Sequence, residues 1–292
     1  MNRDFTELYC FVDDFLSFFD KNFPVINSCN GKRGPACSLS RSEILTIILG
    51  YPSSGFDCFK NYYKQEIMNH HEQDFRLVSY KRFNKLIKGH LKFLIVMLYS
   101  IFEECDGLSL VDSTSIAVCK NYRIRSHKVF DGLASRGKTT KGWFFGLKLH
   151  IMTNLKGSLI KACFSSGNVD DRKVFRSMVK NIFGKVFGDR GYISKELFEE
   201  LFGKDIQLIT RLKKNMKNIL MPIYDKIIST KRILIESVIG RIKLLGKFEH
   251  SRHRSVTNAF VHMIACLINY QLLDDKPSIA SLIHIDCMNQ AK

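Results

Sequence analysis

The chain predicts an α/β fold, a mixed sheet flanked by helices and preceded by a helical N-terminal region. Three observations carry this. After Gly107, short β-branched runs (LSLVDST, KVFGD, IQLIT) alternate with amphipathic ones (DRKVFRSMVKNIF, ISKELFEELF). Between them stand two alternating segments, WFFGLKLHIMTN and SLIKACFSS, joined by a turn at Asn154–Gly157. The first hundred residues, by contrast, read mostly as helices.

Taken in order, Ser40 and Glu43 form a capping box ahead of Ile44, Leu45, Ile47 and Ile48, and Pro52–Gly55 ends that helix. SYKRFNKLIKGHLKFLIVMLYSIF follows as one helix capped by Ser79, with a basic face of Lys81, Arg82, Lys85, Lys88 and Lys92 that contacts DNA or is simply solvated. LSLVDST is a buried strand closed by Asp112. The hairpin comes next, with Phe145, Leu147, Leu149 and Ile151 on one face, and then a helix capped by Asp170. KVFG is a strand followed directly by Asp189. An amphipathic helix, the strand IQLIT, the helix KRILIESVIGRIKLLG and a long helix over Val256–Leu273 complete the order. A boundary falls near residue 105: residues 1–105 form the helical region, 106–275 the sheet domain and 276–292 a tail.

Lys and Arg outnumber Asp and Glu by 45 to 28, a net charge of +17, which calls for a polyanionic partner. Nucleic acid leads and an anionic membrane surface is second. The N-terminus lacks the pattern of a signal peptide. The uncharged stretch 256–273 carries Thr257, Asn258, His262, Asn269 and Gln271, so a buried helix is expected rather than a membrane span. Nine cysteines without a Cys-x-x-Cys pair suit reduced thiols in a cytoplasm.

Glu236 sits among Ile233, Leu234, Ile235, Val238 and Ile239. At about 100° per residue from Arg232, Glu236 falls at about 40°, Lys243 at about 20° and Gly240 at about 80°. Leu234, Ile235, Val238, Ile239, Ile242 and Leu245 span about 200–340°. Glu236 therefore lies on a polar stripe between two cations. On the helix alone this is either a surface ion pair of a few tenths of a kcal/mol or part of a site. Asp112 and Asp189 each double as turn or cap residues. Together, however, two strand-end aspartates and a helix glutamate suit a pair of divalent cations and in-line phosphoryl transfer.

VDSTSI, GWFFGLKLHIMTN, FGDRGY and LIESVIGRIK, in this order, resemble the DDE transposases of bacterial insertion sequences, the insertion-sequence 982 family in particular. FKNYYK and SYKRFNK resemble the same family, so the likeness covers nearly the whole chain. It implies an RNase-H-like catalytic fold and a catalytic, metal-binding triad of Asp112, Asp189 and Glu236. Two Mg²⁺ ions, replaceable by Mn²⁺, are the implied cofactors. The helix also fits the related insertion-sequence 4 signature, with Arg232 and Lys243 in its Arg and Lys places as DNA contacts, but Ser229 stands where that signature has Tyr. The implied partners are double-stranded DNA, namely the element's terminal inverted repeats and the target, and further copies of the chain in the DNA complex. No membrane is implied, and the expected location is the bacterial cytoplasm at the nucleoid.

KNYRIRSHKVFDGLASRGKTTKG, between the first strand and the hairpin, reads as a basic loop. Arg123, Arg125, Lys128, Arg136, Lys138 and Lys141 would clamp DNA, a reading favoured over a solvated loop because the segment leaves the strand of Asp112. His150, which alternates with Lys148 on the strand face opposite Leu149, is expected to be packed or half exposed, Trp143 to be core rather than base-stacking, Asp171 to be a bystander beside the Asp170 cap, and Glu196, Glu199 and Glu200 to face solvent. Two other functions fit the same residues: a metal-dependent nuclease without strand transfer, and an inactive derivative that only binds DNA.

Overall fold

The computed structural model describes residues 4–23, 37–140, 142–211, 220–249 and 253–279. They fall into two compact units. One holds residues up to 101 with 242–248 and 253–272; the other holds 102–241 with the remaining C-terminal residues.

The first unit is helical. α1 (Phe5–Asn22) is capped by Asp4, and α2 (Arg41–Gly50) opens with the capping box read from sequence. The Ser40 hydroxyl accepts from Glu43 N–H at 3.1 Å and the Glu43 carboxylate accepts from Ser40 N–H at 2.5 Å. Ser40→Ala removes one of these bonds and should cost about 1 kcal/mol. Urea denaturation checks this, and an unchanged midpoint would show the cap to be idle. The expected single helix after Ser79 is two, α3 (Tyr80–Leu86) and α4 (Leu91–Ser100), separated by a 3₁₀ turn at Ile87–His90 that contains Gly89. A glycine there removes the helix preference that would carry the turn through. Its five basic residues are all exposed, while Phe83 and Ile87 are buried. α9, Val256–Gln271, is capped by Ser255 and buries every residue from Val261 to Gln271. It packs on α2 and α4, and Asn269 donates to Leu49 O at 2.9 Å. Among the described residues no helix is long and apolar enough to cross a membrane.

The second unit is a six-stranded mixed sheet. β1 (Leu108–Cys119) runs antiparallel to β3 (Gly142–Thr153), from Leu110↔Thr153 to Cys119↔Phe145. β4 (Leu159–Ser166) pairs antiparallel with β3 from Leu147 on, while β2 (Ser135–Thr139) pairs with residues 142–146. β2 and β4 thus lie end to end along one edge of β3. Where they meet, the backbones touch: a Cβ on Gly137 would strike Gly167 O, and one on Gly146 would strike Ile116 O. On the other edge of β1, β5 (Gly184–Gly188) runs parallel, followed by β6 (Ile206–Thr210), also parallel. Three antiparallel strands followed by two parallel ones, in the order β4-β3-β1-β5-β6, make an RNase-H-like sheet.

α5 (Asp171–Met178) and α6 (Lys195–Phe202) supply Phe175, Met178, Leu197 and Leu201 to a core with Val111, Met152 and Val186. α7 (Ile223–Lys231) and α8 (Ile233–Leu244) follow β6. α7 carries Asp225, 1% exposed, whose two oxygens accept from the Lys185 ammonium of β5 at 2.8 Å. Arg211, just past β6, donates to Ser229 O at 3.1 Å and Thr230 O at 3.4 Å at the end of α7. A cation on the last carbonyls of a helix satisfies them and complements the helix dipole.

Candidate active site

Asp112 does not close its strand. Beyond it Ser113, Thr114 and Ser115 pair with His150, Leu149 and Lys148 of β3, and β1 continues to Cys119. What stops near Asp112 is the pairing with β5, whose last partners are Leu110 and Phe187. Carried two residues further, that register sets Asp189 level with Asp112. Asp189 directly follows β5, as the sequence suggested.

The helix KRILIESVIGRIKLLG also differs from its reading as one element. It breaks at Arg232, which ends α7 and turns the chain into α8. Leu234, Ile235 and Val238 are buried, and Glu236 stands on the opposite side beside Gly240, around which nothing crowds. The Arg232 guanidinium lies 3.4 Å from Asp112 Oδ2, 3.8 Å from Asp189 Oδ1 and 3.4 Å from Glu236 Oε1. Three carboxylates, from a strand, a strand end and a helix, therefore meet around one cation. Lys243 lies two turns past Glu236, at the end of α8 counted with the helical unit. Ser229 is buried in α7.

Asp112 is the most enclosed carboxylate, with its side chain 21% exposed against 58% for Asp189 and 57% for Glu236. Burial pushes its carboxyl above the ordinary carboxylate range. Arg232 opposes that shift, as does the Ser113 N–H, which donates to Asp112 Oδ1 at 2.8 Å, while the Asp189 charge adds to it.

One residue step along β1, a second polar group was missed by sequence. The Ser113 hydroxyl donates to Asp171 Oδ2 at 2.8 Å, and the Lys148 ammonium donates to Asp171 Oδ1 at 2.7 Å and to Val169 O at 2.9 Å. Asp170 caps α5, as expected, accepting from Arg172 N–H at 2.9 Å, but Asp171 is no bystander. His150 is buried against the Ser165 hydroxyl at 2.8 Å, and burial holds its pKa down at about 4, so it is neutral at physiological pH. Alternation along β3 pointed to Lys148 and His150 sharing a face; the partner 23 residues away carried no local signal.

The basic segment is not a plain loop. Arg123 and Arg125 sit in a 3₁₀ turn at Asn121–Ser126, and Arg136 and Lys138 on β2. These four and Lys128 are exposed; Lys141 lies outside the described residues. They belong to the ends of β1 and β3 remote from Asp112. Trp143, read as core, is 52% exposed, because β3 at that point pairs with β2 beyond its last β1 partner, Phe145.

Among the described residues, no three His, Cys, Asp or Glu stand close enough to one another to hold a metal ion. Around Asp112 the reason is visible: the carboxylates are spread about the guanidinium between them. The donor set nevertheless fits a hard divalent cation, since all three groups offer carboxylate oxygens and already converge on positive charge.

The family described as "Transposase DDE domain" matches residues 102–256, just over half of the 292. No curated protein matches. Among solved structures, the chain is similar to a piggyBac transposase in a synaptic complex with hairpin DNA, at a TM-score of 0.40 and 10% identity over 74% of this chain. It spans about half of that protein, 52%. The matched segment begins ahead of β1 and ends beyond α8, so it takes in all three carboxylates and the strands and helix that bring them to Arg232: this chain belongs to the DDE transposase family.

Proposed function

We propose that this protein is a DNA transposase of the insertion-sequence 982 kind, which cuts at the ends of its element and joins the freed 3′-hydroxyl to target DNA. One observation carries the reading: Asp112, Asp189 and Glu236, far apart in sequence, gather on the guanidinium of Arg232. These three would hold two Mg²⁺ ions, with Mn²⁺ able to substitute. The chemistry those ions supply is activation of the attacking oxygen and stabilisation of the leaving one. Ser113 N–H fixes one oxygen of Asp112 and leaves the other facing the site. Arg232, once released from the carboxylates, offers a planar fork suited to a phosphate of the DNA backbone, and Lys243 a second positive charge. Neutral His150 adds no charge behind the site. The net charge of +17 supports a DNA partner.

In this reading, the catalytic domain lies within residues 106–275, of which 242–248 and 253–272 pack in the helical unit, residues 1–105 help bind the element's inverted repeats, and 276–292 are a tail. Several copies assemble on DNA at the nucleoid. The test incubates the protein with Mg²⁺, DNA bearing the terminal inverted repeats, and a target plasmid. Nicking at the ends followed by joining to the plasmid is expected. Cut ends that never join would leave a nuclease, and binding without nicking would leave an inactive derivative.

A further inference from the structure

Trp143 is the single tryptophan of the chain, and the fold leaves it half bare, at 52% exposure. It stands opposite Lys138 on the two-stranded arm formed by β2 and the start of β3. Arg136 Cζ lies 5.3 Å and Lys138 Nζ 5.6 Å from its ring centroid, both within cation–π range. The Trp143 carbonyl accepts from Asn121 Nδ2 at 2.8 Å, which fastens the 3₁₀ turn to the arm. The next residue, Tyr122, is 78% exposed, and Arg123 and Arg125 beside it are exposed too. Aromatic faces and cations are thus interleaved on one patch.

Surface packing accounts for part of this. Each cation–π contact helps to steady the arm. It does not account for a second bare aromatic, nor for the charge. Among the described residues, Arg123, Arg125, Arg136 and Lys138 make no ion pair with a carboxylate. A π surface beside unneutralised cations is the combination that grips single-stranded nucleic acid, through base stacking and phosphate contact together.

We infer that Trp143 is a stacking platform for an unpaired nucleobase of bound DNA, with Arg136 and Lys138 holding the flanking phosphates. The inference rests on the DNA reading above and adds a site to it. Trp143 is eight residues along β3 from Ile151, the partner of Asp112, or about 27 Å of strand. That is about eight base steps of duplex, so the base held here is remote from the bond being cut. The platform anchors the DNA and does not take part in the chemistry.

A lone tryptophan makes its own reporter. The full-length protein, in EDTA to prevent cutting, is titrated with labelled duplex and with the same duplex carrying a stretch of unpaired bases. Indole emission and DNA anisotropy are followed together. The expected result is a loss of emission with the unpaired DNA that saturates alongside the anisotropy, and little change with the duplex. Trp143→Leu should weaken binding of the unpaired DNA about tenfold, with Trp143→Phe retaining most of it. Anisotropy that rises while emission stays constant would overturn the platform and leave DNA binding intact. Equal quenching by both DNAs would replace stacking with a groove contact and overturn it as well. A blue shift on phosphatidylserine vesicles, with no response to DNA, would assign the patch to a lipid surface. Absence of binding to either DNA would remove the DNA reading itself.

Discussion

On the proposed function, Asp112→Asn should lower Mg²⁺-dependent cleavage of end-bearing DNA by about 10³-fold while the protein stays folded. The size follows from the proposed role: one oriented electrostatic group removed from an active site typically costs two to three orders of magnitude. The folding half follows from the pKa. Burial raises the Asp112 carboxyl above its unfolded value, so the folded state favours the protonated form. Its contribution to stability is fully present below the unfolded pKa and is lost as pH rises through the folded one. At neutral pH the ionised group therefore costs stability, and an uncharged, near-isosteric asparagine removes that cost. Circular dichroism melting should give a midpoint at or above that of the native chain, alongside absent nicking in a gel assay. A soluble, folded variant that still nicks would refute the triad.

Lys185→Met destabilises the sheet unit by about 3 kcal/mol, at the lower end of the range for breaking a buried ion pair. The Asp225 carboxylate is 2% exposed and takes both its hydrogen bonds shown here from the Lys185 ammonium, which is itself about a third exposed. Without that cation a carboxylate is stranded in the interior. The lower end applies because water reaches the lysine side of the pair. The consequence reaches the site: α7 is pinned to β5 by this pair, and α7 ends at Arg232. Adding Asp225→Asn to Lys185→Met should recover most of the loss. Guanidinium denaturation of the native, single and double variants measures it, and additive losses would mean that the pair is not coupled.

Much of the fold was readable because its signals are local. The Ser40 box, the β3–β4 hairpin and the cap at Asp170 depend on residues a few positions apart. Asp189 was readable as a strand end because KVFG is short and apolar, and the α8 stripe because its apolar side is continuous. The failures are of two kinds. Asp112 looked like a strand end because a charged residue usually leaves a buried strand, yet β3 pairs with it and with Ser113, Thr114 and Ser115 beyond it. Asp171 looked idle because its partners, Ser113 and Lys148, come from other strands. Arg232 combines both kinds: the helical wheel put it beside Glu236, but its position at the corner of α7 and α8, within reach of Asp112, depends on how the helices meet the sheet.

The glycines at the root of the arm bear on how this protein can change over generations. At Gly137, Gly146 and Gly167 any side chain would meet neighbouring backbone, so inherited variation there is shut out by the sheet itself. A few residues away, Arg136, Lys138 and Trp143 are exposed and owe the core little. Substitution can therefore rewrite what the arm holds, while a side chain at any of the three glycines would first need the backbone beneath the arm to shift.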